Sequence, residues 1–396
     1  MIDLREARAE PERFRAALAR KGAAERFDAL LAADERWRAL VPGVDDLRAR
    51  QKQKGKPTPE QLEELNRVKQ ELRAAEAALA AAEAERDALL AQIPNPPDAT
   101  TPDGDTEDDS VEISRFGDPA QSGPEHTEVG RFEMERAARM SGARFGFLVG
   151  DTALLATAIY RFAVERCVAH GHTLVIPPVL VREEAMYGTG YFPTERSNIY
   201  ALEADGLYLT GTSEVALAGF HMGEILEELP LRYSGFSTCF RRESGAAGRD
   251  TRGMFRVHQF NKVELFVYCD PATSGEEHDR LLAIEEELAQ ALGLPYRVVN
   301  VAAGDLGDPA SKKYDIEGWF PSQGRYREIT STSNTTDFQA RRLGIRYRTG
   351  EKSLETPHTL NGTAVTDRWL LAILENFGGD VPDALIPYGA PARVER

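Results

Sequence analysis

Apolar residues recur at intervals of three, four and seven between about positions 26 and 93. In the second half of that stretch Leu62, Leu65, Val68, Leu72, Ala75, Leu79, Ala82, Leu89 and Ile93 make a heptad seam; in the first half Phe27, Leu30, Trp37, Val41, Val44 and Leu47 make a weaker one. Pro42-Gly43 should kink or interrupt the first helix. QKQKGKPTP separates the two halves, with Gly55 placed to end one helix and Thr58-Pro59 to cap and start the next. IPNPPD ends the second. The pattern predicts an antiparallel helical hairpin with a lysine-rich tip.

Beyond position 126 the pattern changes. A helical period covers about 152–170, 276–292 and 368–377. Period-two alternation marks GLYLTGTSEVAL, FSTCFRRES, FRVHQFNKVELFVYC, YRVVNVA and YREITSTSN as strands. HTLVIPPVLV also reads as a strand, but Pro177 and Pro178 confine it to an edge or an interface. Strands gathered centrally with helices at the flanks predict an α+β fold: an N-terminal helical coiled-coil arm, then a domain built on a mainly antiparallel sheet. The expected boundaries are 1–97 for the N-terminal domain (arm 26–93), 98–125 for a linker and 126–396 for the second domain. The linker reading rests on nine carboxylates against a single base, Arg115, between Asp98 and Glu125.

Composition narrows the possibilities. The 396 residues carry a net charge of -16, which disfavours a nonspecific nucleic-acid coat, although a local basic surface remains open. No apolar run reaches membrane-spanning length and the first residues lack a signal-peptide core, so a cytoplasmic location without a membrane partner is expected. Cys167, Cys239 and Cys269 are odd in number and widely spaced, indicating neither a disulfide framework nor a zinc site. Neither a P-loop nor a Rossmann glycine pattern is present.

Candidate chemistry concentrates in FRRESGAAGRDTRGMFRVHQFNKVELF, residues 240–266. Arg241 and Glu243 share one parity on the first predicted strand; Arg256, Phe260 and Glu264 share one on the second. A hairpin would present all five to one concavity, with Arg249 and Arg252 on the loop above. Guanidinium groups suit phosphates, a flat ring suits a base and carboxylates suit amino groups. A solvated ribbon of surface ion pairs is the bland alternative.

Those residues resemble motif 2 of the class II aminoacyl-tRNA synthetases, and the stretch is similar specifically to the seryl-tRNA synthetase family. Other segments agree in order: HTLVIPPVLV resembles motif 1, TSEVAL the substrate-binding segment, EITSTSNTTDFQARR the segment before motif 3, and HTLNGTAVTDRWLLAILENF motif 3. The helical hairpin is also a feature of that family. The resemblance implies activation of L-serine with ATP and Mg2+, then transfer of the seryl group to tRNA(Ser), with tRNA(Sec) open as a second acceptor. It also implies a homodimer with its interface around Pro178, and the arm as tRNA binder.

By resemblance Arg241 bridges the α-phosphate and the serine carboxylate, beside Arg242. Glu243 accepts from the adenine amino group, Val257 lines the base pocket, Phe260 stacks on the base, and Arg256 reaches the distal phosphates. Arg368 lies on the other face of the base, and Arg241, Glu328 and Arg368 are the expected catalytic set. Glu328 and Ser331 are the expected magnesium ligands, with Ile329 and Thr330 completing the nucleotide segment. Thr212, Ser213, Glu214, Glu264, Asn361 and Thr363, together with Arg241, make the expected serine pocket. Two other readings remain open from the residues: a paralogue serving a biosynthetic or resistance pathway, and a non-catalytic synthetase-like tRNA binder.

Overall fold

The computed structural model describes residues 1–52, 58–244, 250, 253–350 and 352–396. The expected basic tip at Lys54, Gly55 and Lys56, and the loop arginines Arg249 and Arg252, lie outside them. The chain divides into two compact units, Met1–Pro96 and Pro97–Arg396.

In the first unit, α1 (Ala24–Gln51) and α2 (Pro59–Leu90) run antiparallel. Arg36 pairs with Glu85 at 2.7 Å, Arg48 with Glu76 at 3.0 Å and Arg50 with Glu64 at 3.0 Å, so the register descends along α2 as it climbs along α1. Val44, Val68 and Leu72 are buried in the seam, whereas Leu62 is exposed. Phe14, Leu18, Phe27, Leu30 and Ile93 close a small core at the base. Thr58 starts α2 through a reciprocal cap: its hydroxyl accepts from the Gln61 amide at 3.3 Å, and its own amide donates to Gln61 Oε1 at 2.8 Å. The expected interruption at Pro42-Gly43 is absent, because α1 runs through both. They face solvent, where water can serve the carbonyl that proline leaves without a donor.

The second unit is built on eight strands: β1 (Val111–Phe116), β2 (Thr173–Val175), β3 (Leu231–Phe240), β4 (Gln259–Cys269), β5 (Tyr296–Asn300), β6 (Lys312–Phe320), β7 (Arg325–Asn334) and β8 (His358–Thr366). Their order is β1-β5-β6-β7-β8-β4-β3-β2, antiparallel throughout except for the parallel β3–β2 pair. The acidic stretch 98–125 is not a bare linker: it supplies β1, whose backbone hydrogen-bonds along β5 while every side chain of the strand stays exposed. Main-chain pairing can hold such an edge without a burial signal. The proline-bearing segment does lie at an edge, with β2 beside β3.

Three helices, α3 (Asp151–Ala169), α4 (Ser274–Ala291) and α5 (Asp367–Phe377), cover one side of the sheet. Alternation along β4 explains the two faces. Val263, Leu265 and Val267 enter the main core with Ile159, Phe162, Leu281, Leu288, Trp369 and Ile373, each fully buried aliphatic or aromatic side chain contributing about 1.5–3 kcal/mol. Phe260, Lys262 and Glu264 take the opposite parity and face the clefts described next. Further along that parity Phe266 and Tyr268 enter a second cluster with Leu217, Leu343 and Tyr347.

Local assignment differs from the sequence reading in two places. TSEVAL is not strand: after Leu207–Leu209 the chain turns into a short helix, Glu214–Ala218, whose first amide is held by Thr212 Oγ1 at 3.2 Å. Arg241 and Glu243 lie just past the end of β3, and Arg256 lies before the start of β4. Glu243 has φ +51, a left-handed conformation that takes it out of strand geometry.

Candidate active site

Two adjoining open clefts, each of about 650 Å³, lie on the sheet face opposite the helices. The first is lined by Arg241, Glu243, Phe255, Arg256, Val257 and Phe260 from the motif 2 region, by Glu328 to Ser331 from β7, and by Thr366 and Arg368 at the start of α5. The second is lined by Thr212, Glu214, Glu264, Asn361 and Thr363 with Tyr191 and Lys313. Arg241, Lys262, Ser331 and Thr363 line both, so the clefts meet at those side chains.

Two bulges make this lining possible. Residues three apart on a regular strand face opposite sides. On β7 the register with β6 slips around Ile329, and Glu328 and Ser331 both reach the first cleft. On β8 the register with β4 slips around Ala364, and Thr363 and Thr366 both reach it as well.

Charges in the first cleft are paired before any ligand arrives. Arg256 bonds Glu243 and lies 3.7 Å from Asp250; Arg327 grips Asp250 with two bonds, 3.0 and 2.8 Å. Arg368 donates to the Glu328 carbonyl at 2.8 Å, and its guanidinium is 3.5 Å from the carboxylate. Burial would raise the Glu328 carboxyl, but Lys313, Arg368 and Arg241 outweigh it and bring it down to about 2. Neighbouring Asp315, bonded to Lys313 at 2.9 Å, is pushed the other way to about 7, by burial first. Arg241 donates to the Gly211 carbonyl at 3.2 Å and lies 5.1 Å over the Phe260 ring. Fixed, mutually oriented charges of this kind suit stabilisation of charge that develops during reaction.

In the second cleft Thr212 donates to Glu264 Oε2 at 2.9 Å, and Lys262 bonds the same oxygen. Glu214 accepts from Gln339 at 2.7 Å and from Asn361 at 2.8 Å. Burial and the nearby Glu264 push the Glu214 carboxyl up to about 7.

Not every expected residue reaches the clefts. Arg242 is exposed, its guanidinium 5.3 Å over the Tyr200 ring, and lines neither. Ser213 is buried beneath, its hydroxyl 2.6 Å from that of Ser237. The sequence reading missed Lys262, although it shares the parity of Phe260 and Glu264 and so had to face the same way. It also missed Phe255, whose ring lies between Arg327 at 3.7 Å and Arg368 at 4.6 Å, and the anchor behind it. There His126 Nδ1 bonds the buried Glu375 at 2.8 Å while its Nε2 accepts from the Met254 amide at 3.1 Å. Gly253, at φ +67, lets the chain pass: a Cβ there would sit 2.5 Å from His126 Nε2. No spacing rule links positions 126, 254 and 375.

Known proteins resemble this chain in sequence and in fold. Residues 1–97 match the description "Seryl-tRNA synthetase N-terminal domain", and residues 200–377 match "tRNA synthetase class II core domain (G, H, P, S and T)". A serine--tRNA ligase of Thermobifida fusca is 48% identical over 98% of this chain and 97% of its own length; one of Mycolicibacterium vanbaalenii is 49% identical over 98% of each. The chain belongs to the seryl-tRNA synthetase family. Among solved structures, the seryl-tRNA synthetase of Pyrococcus horikoshii complexed with ATP superposes with a TM-score of 0.93 at 36% identity, covering 100% of this chain and 99% of that one. The cytoplasmic serine-tRNA ligase of Naegleria fowleri in complex with AMP gives 0.86 at 32% identity, covering 97% and 95%. Membership of the seryl-tRNA synthetases makes this chain an aminoacyl-tRNA ligase for serine, and the α+β architecture expected from the sequence is the one the family has.

Proposed function

We propose that the first cleft holds ATP, that the second holds L-serine, and that the two react where Arg241, Lys262, Ser331 and Thr363 line both. This meeting of the clefts is the observation that carries the reading. A serine carboxylate oxygen attacks the α-phosphorus, the bond to the diphosphate oxygen breaks, and seryl-adenylate and diphosphate result. The terminal ribose hydroxyl of tRNA(Ser) then displaces AMP. Neither step needs a strong base; both need alignment and charge stabilisation.

Arg241 stands between the reacting carboxylate and phosphate. Glu243 accepts from the adenine amino group, Val257 and Phe260 form the base's wall and platform, and Arg368 closes its other face. Arg256 takes the distal phosphates, exchanging part of its contact with Glu243 for them. Glu328 and Ser331 are hard oxygen donors brought to one side by the bulge, and Glu328 favours its charged form, so the two would hold magnesium. Bound there, the ion would screen phosphate charge. Thr212, Glu264 and Thr363 recognise the serine hydroxyl, and Glu214 takes the ammonium. Arg242 and Ser213 support the site from outside the clefts.

The enzyme works in the cytoplasm as a homodimer. Exposed Leu174 on the edge strand, with exposed Ile176 and Leu180 just beyond it, supports an interface around Pro178. The hairpin of α1 and α2 binds the tRNA, chiefly through backbone and shape. A tRNA(Sec) is a second candidate acceptor: a Methanopyrus kandleri seryl-tRNA synthetase structure is described in complex with tRNASec, although at 17% identity it shares only the fold. Diphosphate exchange against each of the twenty amino acids tests the reading. Exchange with serine is expected; exchange only with another amino acid would refute it.

A further inference from the structure

The two carboxylates of the amino-acid pocket are not compensated alike. Glu264 has a cation, Lys262, on Oε2. Glu214 has no ion-pair partner among the described residues. Its two donors, the amides of Gln339 at 2.7 Å and Asn361 at 2.8 Å, both converge on Oε1. Oε2 takes neither bond, and Glu214 lines the pocket. Two donors on one oxygen fix the carboxylate plane and leave the other oxygen to accept from a cation.

Asn361 itself lines the pocket, but Gln339 does not. It is fully buried behind Glu214 on the short helix Phe338–Arg342. Its Oε1 accepts from Thr359 at 3.0 Å and from Thr335 at 3.4 Å, and its Nε2 also approaches the Thr189 carbonyl at 3.4 Å. Reversing the amide would set its oxygen against the carboxylate and that carbonyl, so the donor must point at Glu214.

We propose that Gln339 is a positioning residue of the amino-acid site: its amide grips Glu214 at Oε1 and turns the carboxylate so that Oε2 receives the substrate ammonium. This rests on the second cleft being the serine site. The groups facing Glu214 explain why help is needed. Burial and then Glu264 disfavour its charge; the Gln339 bond, Lys262 and Arg241 favour it; Tyr191, its phenol raised well above the ordinary range by burial, adds no cation.

The test is kcat/KM for serine in diphosphate exchange between about pH 5.5 and 9, comparing the native enzyme with Gln339→Met. The native profile should rise with pH, bend near 7, where the Glu214 carboxyl titrates, and level off about one unit higher. In the variant the inflection moves up by about one pH unit, kcat/KM falls by about fivefold at pH 7 and about tenfold below pH 6, and KM for ATP is unchanged. An unmoved inflection, or the same fold loss at every pH, would reduce Gln339 to packing and overturn the proposal. If the methionine variant does not fold, Gln339→Asn, whose amide falls one methylene short, is expected to show the same shift. A second measurement compares KM for serine with the inhibition constant of glycerate, which has a hydroxyl in place of the ammonium. At pH 7 the KM for serine should rise about fivefold in the variant while the glycerate constant stays put; equal weakening sinks the idea. Were exchange to require another amino acid, the serine assignment would fall, while the inflection measured with that amino acid would still decide the role of Gln339.

Discussion

Replacing Lys262 by methionine tests the charge arrangement of the pocket most directly. The Lys262 and Glu264 side chains are only 8% and 2% exposed, and the ammonium is the only cation bonded to Glu264 among the described residues. Methionine fills much of the lysine's volume, so the perturbation is mainly electrical. Glu264 keeps one donor, Thr212, and remains near the uncompensated Glu214. Removing one member of a buried pair typically costs about 3–5 kcal/mol, whereas removing both is often neutral. For a unit of this size about 2 °C of midpoint corresponds to 1 kcal/mol, so the single variant should melt about 6–10 °C lower. Lys262→Met/Glu264→Gln should recover most of that loss, yet still lose about 100-fold or more in kcat/KM for serine, because the glutamine no longer offers a charged acceptor. Differential scanning calorimetry at fixed protein concentration, paired with diphosphate exchange, reads both quantities. A single variant within about 2 °C of the native midpoint, or a double variant less stable than the single, would refute the reasoning.

Four further outcomes are expected. Arg241→Ala should remove adenylate formation, read as diphosphate exchange, while far-ultraviolet circular dichroism stays native. Deleting residues 50–66 should abolish tRNA charging and leave serine-dependent exchange intact; equal loss of both would contradict the division of labour between the units. His126→Ala strips the Met254 amide of its acceptor and the buried Glu375 of a donor, so urea unfolding should show a loss of about 3–5 kcal/mol, with a raised KM for ATP because Phe255 follows Met254 in the chain. Burial raises the Asp367 carboxyl from an ordinary 3.8 to about 7, so its contribution to stability is complete below about 3.8 and is lost as pH climbs to about 7. Asp367→Asn removes that dependence, and its midpoint should therefore gain on the native protein as pH rises across that window; a gap constant with pH would count against the assignment.

Much of the architecture was legible because its causes are local. The heptad seam, the Thr58 cap and the period-two runs each depend on residues within about a turn or a few strand positions of one another. Parity along β4 was enough to place Phe260 and Glu264 on one face, and applied without a gap it also gives Lys262. Arg241 and Glu243 reach the same cleft as expected, but from beyond β3 and not from strand geometry, and TSEVAL departs altogether, a turn of helix replacing the alternation. Strand β1 escaped notice because an edge strand can be held by backbone pairing alone, with none of its side chains buried.

By itself the sequence determined the helical arm, the faces of the central strands and most of the residue types that line the two clefts. The tertiary structure decided which charges neutralise which. Lys262 answers Glu264, Arg327 answers Asp250 across 77 positions, and Gln339 reaches Glu214 across 125. It also decided, through single-residue bulges at Ile329 and Ala364, that Glu328 and Ser331, and likewise Thr363 and Thr366, share a cleft. The reason is physical: periodicity and capping act between neighbours in the chain, whereas the partner of a buried charge is set by strand register and packing that no short stretch encodes.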